Sequence, residues 1–248
     1  MTFFTLAVVA ALVGLFIGAV GVGGVLLIPF LAMLGDLGIH AAAATALFTF
    51  LFTGLFGTWL FQRRGSIDWR LTLPVCIGAV LFGYLGSAAA AHIAPQALAV
   101  TIAAIIVGAG AYVFVPPRGP LRAPRDGHHR GDLVILAFIG TVSGFGSGLS
   151  GAGGPLFSVP LMVILGFAPL ATVGASQVLQ IVASVSGSLA ALQDGRIDFV
   201  LAAWVTGFEL AGVAAGVRLA HAVSPSALRR VAGALCITVG SFMLMRAL

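Results

Sequence analysis

The sequence predicts an all-α polytopic membrane protein built from two homologous repeats. Each repeat is a Gly/Pro-broken helix pair followed by three long transmembrane helices. Three observations predict this. Hydrophobic residues make up 60% of the 248 and charged residues only 8%, with a mean hydropathy of +1.16. Uncharged apolar runs such as Ile39–Phe61 and Leu71–Ala91 recur along the chain, each long enough to cross a hydrocarbon core that needs roughly 20 helical residues. The stretch GLFIGAVGVGGVLLIPFLAML (Gly14 to Leu34) returns as GFGSGLSGAGGPLFSVPLMVIL (Gly144 to Leu165), a glycine cluster leading to a proline in both copies.

The first repeat, residues 1–115, reads as helices over Thr2–Val20, Val25–Leu34, Ile39–Phe61, Leu71–Ala91 and Ala97–Val115. These runs are apolar nearly all round, unlike the one-sided pattern of a soluble helix. The opening MTFFTLAVVAALVGLF lacks a positive n-region and a clear small-residue cleavage site, so it reads as a retained helix, not a signal peptide. Val25–Leu34 rises only about 15 Å, half a bilayer. Asp68 precedes the fourth run and reads as its cap. Residues 116–132 (PPRGPLRAPRDGHHRGD) carry prolines, glycines and charges, as a cytoplasmic linker does.

The second repeat, residues 133–248, reads as Leu133–Leu149, Leu156–Leu165, Leu170–Leu192, Phe199–Leu219 and Ala227–Met245. Its landmarks recur in order: Gly23-Gly24 with Gly153-Gly154, Pro29 with Pro160, Gly35 with Gly166, Ser66–Trp69 with Arg196–Phe199, and Ala91–Leu98 with Ala220–Leu228. Asp198, the equivalent of Asp68, reads as a second cap. Ordered recurrence is the mark of duplication rather than of shared composition.

Arginine placement orients the halves. All twelve basic residues are arginines lying between apolar runs, so the formal charge of +5 describes topology and not a nucleic-acid surface. If each short helix completes a crossing, the halves are inverted. Arg63, Arg64, Arg70, Arg118, Arg122, Arg125, Arg130, Arg218, Arg229 and Arg230 then share one side, with Arg196 and Arg246 on the other. If the short helices only re-enter, the halves are parallel and Arg218, Arg229 and Arg230 change sides. The first arrangement separates charge better, and it favours inversion.

Paired broken helices at matching positions of two halves point to a transport site, because freed backbone groups are tolerated at membrane depth only against protein or a polar cavity. The clusters supply Gly21, Gly23, Gly24 and, in the second copy, Ser150, Gly151, Gly153 and Gly154. The short helix after each begins with unpaired N–H groups and the positive end of its dipole, which suits a small anion. Close packing through small residues is the competing reading. On the next long helix Thr45, Thr49 and Thr53 share a face, and Ser176, Gln180 and Ser184 stand 131 residues later, with Gln177 beside them. Both stripes read as walls of a substrate cavity, or else as interhelical hydrogen bonding.

Glu209 is the one ionisable residue near the middle of an apolar run, and an intramembrane carboxylate is a functional candidate by default. It is the candidate carrier of a coupling proton, and it leaves open a cation/proton exchanger centred on this residue. A membrane-embedded enzyme or assembly factor is a further alternative. Its expected signature, a cysteine pair or a nucleophile–base grouping, is not readable: Cys76 and Cys236 occupy non-equivalent places in apolar runs. No metal-ligand cluster or cofactor motif is readable either.

The duplicated glycine cluster with its proline, ATALF (Ala44–Phe48) and ASQVL (Ala175–Leu179), and the polar link between halves resemble the sulfite exporter TauE/SafE family, also described as the toluene sulfonate uptake permease family. Val22 and Ala152 interrupt what is often a longer glycine run there, and Thr45-Ala46 and Ser176-Gln177 stand where many members have a threonine-serine pair. The resemblance implies a multi-pass protein of a prokaryotic cytoplasmic membrane. It implies a small anionic substrate such as sulfite, sulfoacetate or another sulfonate.

Overall fold

A computed structural model describes residues 2–21, 23–35, 37–112, 114, 130–165, 167–222 and 225–247. Most of the expected linker, with Arg118, Arg122 and Arg125, lies outside the described residues, as do Val22 and Gly166 and the side chains of Arg130, Arg229, Arg246 and Cys236. The chain forms α1 (Thr2–Val20), α2 (Leu27–Leu34), α3 (Ile39–Arg63), α4 (Trp69–Ala91), α5 (Pro95–Tyr112), α6 (Arg130–Ser150), α7 (Pro155–Ile164), α8 (Pro169–Gln193), α9 (Phe199–Ala222) and α10 (Pro225–Ala247), and no strand is present among the described residues. Six of these, α3, α4, α5, α6, α8 and α9, are long and apolar enough to cross a membrane. The protein is an all-helical polytopic membrane protein.

Most helices start or stop within a few residues of the expected bounds, and local chemistry explains the differences. α3 runs on to Arg63, whose guanidinium stacks over Trp59 at 3.9 Å; a long cationic side chain beside an amphipathic ring suits the membrane–water boundary. α4 and α9 start at their caps. Asp68 accepts from the amide of Arg70 at 2.9 Å, and Asp198 from that of Leu201 at 2.9 Å. The expected helix Val25–Leu34 is a correction: it opens as a 3₁₀ turn over Gly24–Leu26 and becomes α-helical only at Leu27. The tighter turn starts at the break: Gly23 is non-helical, and its carbonyl accepts the Leu26 amide three residues on at 3.0 Å.

The packing has an internal correspondence. α1 lies against α9 as α6 lies against α4, α3 crosses α8, and α5 pairs with α10; replacing each helix by the one five places on leaves these pairs unchanged. Glycines set the contacts at matching positions. Gly86 meets Phe145 and Leu149, while Gly216 meets Leu15 and Ala19; Gly148 meets Gly83 and Ser87, while Gly18 meets Val213 and Val217. The missing Cβ lets backbones touch, which is how helices associate where lipid removes the hydrophobic drive. Gly140 packs onto the Val75 carbonyl, so Gly140→Leu should separate α4 from α6. Overpacking of this kind costs about 3 kcal/mol and should lower the unfolding midpoint in detergent; an unchanged midpoint would refute the contact.

The turns lie at opposite ends. The α3–α4 turn meets the end of α9, where Ser66 Oγ lies 3.2 Å from His221 Nε2 and Arg64 donates to the Val217 carbonyl at 3.0 Å. The α8–α9 turn instead brings Arg196 beside His40, Ala90 and Leu98, at the far end of α4. Arg63, Arg64, Arg70, Arg218 and Arg230 gather at the first end; among described arginine side chains, only Arg196 is at the second.

Candidate functional site

The two glycine breaks come together in the interior. Gly21 and Gly151, 130 residues apart, both adopt the left-handed region (φ 74° and 70°), where only glycine sits without strain. Each ends its helix with an amide bonded one turn back, Gly21 to Ile17 at 3.0 Å and Gly151 to Ser147 at 2.8 Å. Beyond that the amides of Gly23, Gly24, Gly153 and Gly154 find no acceptor among the described residues. These are the orphan donors a helix start leaves behind.

Each break rests on the other half of the chain. A Cβ on Gly21 would lie 3.0 Å from Val159 and 3.2 Å from the Ser176 hydroxyl; Gly151 packs on Ala43. Gly24 faces the Ala152 carbonyl, 3.1 Å from where its Cβ would stand. Phe50 is fully buried at both breaks, one edge of its ring meeting Gly24 at Cζ and Cε2 and Gly153 at the neighbouring Cδ2. Phe50 is the residue that the sequence did not single out: nothing in a run rich in Phe and Leu distinguishes the ring that lands at both breaks.

The polar stripes on α3 and α8 face each other. Gln180 Nε2 donates to the Phe50 carbonyl at 3.0 Å and to Thr53 Oγ1 at 2.8 Å, while its Oε1 lies by Gly153. Gln177 Nε2 reaches the Ile17 carbonyl on the last turn of α1 at 3.2 Å; its buried Oε1 sits over Gly57 and has no hydrogen-bond partner among the described residues. These amides tie the helices that carry the breaks to the stripe across from them. Ser176 donates to Val173 while flanking Gly21.

Other expected residues stand at the margin. Thr45 Oγ1 accepts from the Asp198 amide at 3.1 Å and thereby holds the α8–α9 turn. Ser150 bonds the Gly146 carbonyl at 2.6 Å and receives the Ala152 amide at 3.3 Å, shaping the break itself. Gly23 packs against Phe16 of the preceding α1, and Gly154 against Leu179.

Glu209 is fully buried where α9 meets α1 and α3, with Gly14 pressed on its backbone. A similar close contact, Gly144 on Ala79, lies between α6 and α4. The Thr49 hydroxyl stands beside the carboxyl group, but its proton is directed to the Ala46 carbonyl at 2.8 Å. Neither carboxyl oxygen has a hydrogen-bond partner among the described residues. A buried carboxyl group left this way needs a proton or a cation to be tolerated.

Ten helices, two glycine-broken segments in the interior and every described arginine side chain at a helix end are the build of a polytopic membrane protein, and the family it belongs to makes it a membrane transporter. The chain belongs to the sulfite exporter TauE/SafE family, whose profile matches residues 6–243. It is similar to the probable membrane transporter protein YdhB of Bacillus subtilis (strain 168), 25% identical over 85% of this chain and 87% of that protein. It is also similar to the probable membrane transporter protein MJ0441 of Methanocaldococcus jannaschii, 21% identical over 97% of this chain and 94% of the relative. No solved structure is a significant match.

Proposed function

We propose that the protein is a secondary transporter of a small anion, sulfite, an organosulfonate or a related organic anion, across the cytoplasmic membrane of a prokaryote. The observation that carries this reading is the meeting of two glycine breaks at Phe50, where four amides have no acceptor, and no basic side chain stands beside them, among the described residues. Such donors recognise negative charge without the desolvation cost of a buried arginine. The substrate set is Gly21, Gly23, Gly24, Thr45, Thr49, Ser150, Gly151, Gly153, Gly154, Ser176, Gln177 and Gln180. The helix exchange and the opposed turns support two inverted repeats, 1–115 and 133–248, joined by a cytoplasmic linker. Arginine placement then puts the Arg64 end in the cytoplasm.

A thermal-shift screen of purified protein against sulfite, sulfonates and carboxylates tests the reading. Stabilisation by one anion class is the expected result; no shift with any of them would count against it.

The cation/proton exchanger is kept as a second reading for one reason, the unpartnered carboxyl oxygens of Glu209 beside Thr49. In the leading reading the same group carries a coupling proton. A membrane-embedded thiol enzyme makes a separate prediction. Under the transport reading a Cys76→Ala/Cys236→Ala variant keeps wild-type flux in vesicles, and loss of flux with normal folding would revive the enzyme.

A further inference from the structure

We infer that Phe50 is a displaceable plug: its ring fills the place the anion takes at the glycine breaks, and substrate binds only when the ring turns away. This inference rests on the reading of the breaks as the anion site. A Cβ built on Gly24 would stand 2.7 Å from Phe50 Cζ and 2.9 Å from Cε2, and one on Gly153 would stand 3.3 Å from Cδ2. Carbon atoms in contact stand about 3.5–4.0 Å apart, so the ring edge leaves no room for a methyl group at either break. Sulfite is the smallest of the candidate substrates and is larger than a methyl group. Each of its oxygens must also lie about 3 Å from any amide it accepts from. Ring and anion cannot share that place.

The ring covers the breaks without satisfying them. It carries no oxygen or nitrogen to take up the amides of Gly23, Gly24, Gly153 and Gly154, which have no acceptor among the described residues. Packing of this kind stabilises the substrate-free protein and competes with a ligand that does accept from those amides.

Phe50 and Gln180, which meet here, are held in different ways. Gln180 of α8 is tied, because its Nε2 donates to the Phe50 carbonyl at 3.0 Å and to Thr53 Oγ1 at 2.8 Å. The same bond pins the Phe50 backbone on α3, whereas the Phe50 side chain is held by apolar packing alone. Rotation about χ1 from one staggered well to another carries the ring off the breaks and leaves α3 and the Gln180 bonds in place. The movable part of the site is therefore the ring, and the fixed part is the amide.

A fully buried ring is also ordinary core packing, and the two roles differ in sign. A plug lowers the apparent affinity by the fraction of molecules whose ring is turned away. A ring that only packs, or one whose positive edge faces the anion as part of the wall, gives no gain when it is removed.

The test is calorimetric titration of the purified full-length protein with sulfite and with methanesulfonate, at one temperature where all variants are folded. Phe50→Ala is expected to bind about tenfold more tightly than wild type, since a minor conformer commonly makes up 10% or less of the molecules. Its unfolding midpoint should fall at the same time, as loss of a buried phenyl ring requires. Phe50→Leu keeps a carbon near the place of Cδ2 and none at Cζ or Cε2, so it uncovers Gly24 but not Gly153. Its gain should be smaller, and it serves where Phe50→Ala does not fold. Binding by wild type with equal or weaker binding by these variants would overturn the plug and leave the anion site standing. Absence of binding in wild type and variants alike would remove the site and the plug with it.

Discussion

Leucine at Gly153 is expected to abolish anion binding while the protein still inserts and folds. Gly153 sits at φ 77°, where an L-residue costs roughly 1–2 kcal/mol. Its new Cβ would stand 3.3 Å from the Phe50 ring and 3.8 Å from Gln180 Oε1, so the rest of the side chain must enter the space between the breaks. Gly24→Leu reaches the same space from the other side, 2.7 Å from Phe50 and 3.1 Å from the Ala152 carbonyl. Strain and overpacking together cost roughly 3 kcal/mol of stability, and the new side chain fills the space an anion would need. Insertion depends on the apolar spans, which neither change touches. Membrane yield and elution profile should match wild type while the sulfite- or sulfonate-induced thermal shift disappears. Wild-type binding by either variant would remove the breaks from the site.

The second large effect concerns Glu209. A bound monoanion among amides and hydroxyls leaves net negative charge in the membrane interior, since every described arginine side chain lies at a helix end. An inside-negative potential assists export of that charge by roughly 2.3 kcal/mol per 100 mV. Uptake needs a co-transported cation, and Glu209 is the only intramembrane carboxyl group. Proton coupling at this residue makes uptake rise as the outer solution is acidified. Glu209→Gln keeps the shape and removes the proton site, so anion binding should stay within about twofold of wild type while flux loses its response to a pH gradient. Unchanged pH-driven flux would make Glu209 structural and export down the potential the simpler mechanism.

The helices were legible because a membrane leaves few choices: an apolar run of sufficient length between arginines must cross. Asp68 and Asp198 were legible as caps because a carboxylate before an apolar run has one obvious use. The glycine breaks could be read for the same kind of reason, since Gly21 and Gly151 need a conformation other residues avoid. Other features depended on three-dimensional register. Thr49 and Glu209 are 160 residues apart, and only the crossing of α3 and α9 brings them together. Phe50 is one of 18 phenylalanines, chemically unmarked until its ring is found at Gly24 and Gly153. Thr45, one turn before Thr49, has a contact that only the fold supplies: its oxygen accepts from the Asp198 amide at the α8–α9 turn.

Flux in reconstituted vesicles decides between an anion transporter and a cation exchanger. Wild-type protein with a small sulfonate or sulfite as the only candidate substrate anion should give a saturable flux of that anion, driven by a pH gradient where Glu209 carries a proton and by the membrane potential where it does not. Gly153→Leu should silence it, and exchanging the cations should leave it unchanged. A flux that instead follows the cation and the pH gradient, and ignores which anion is present, would contradict the proposed function.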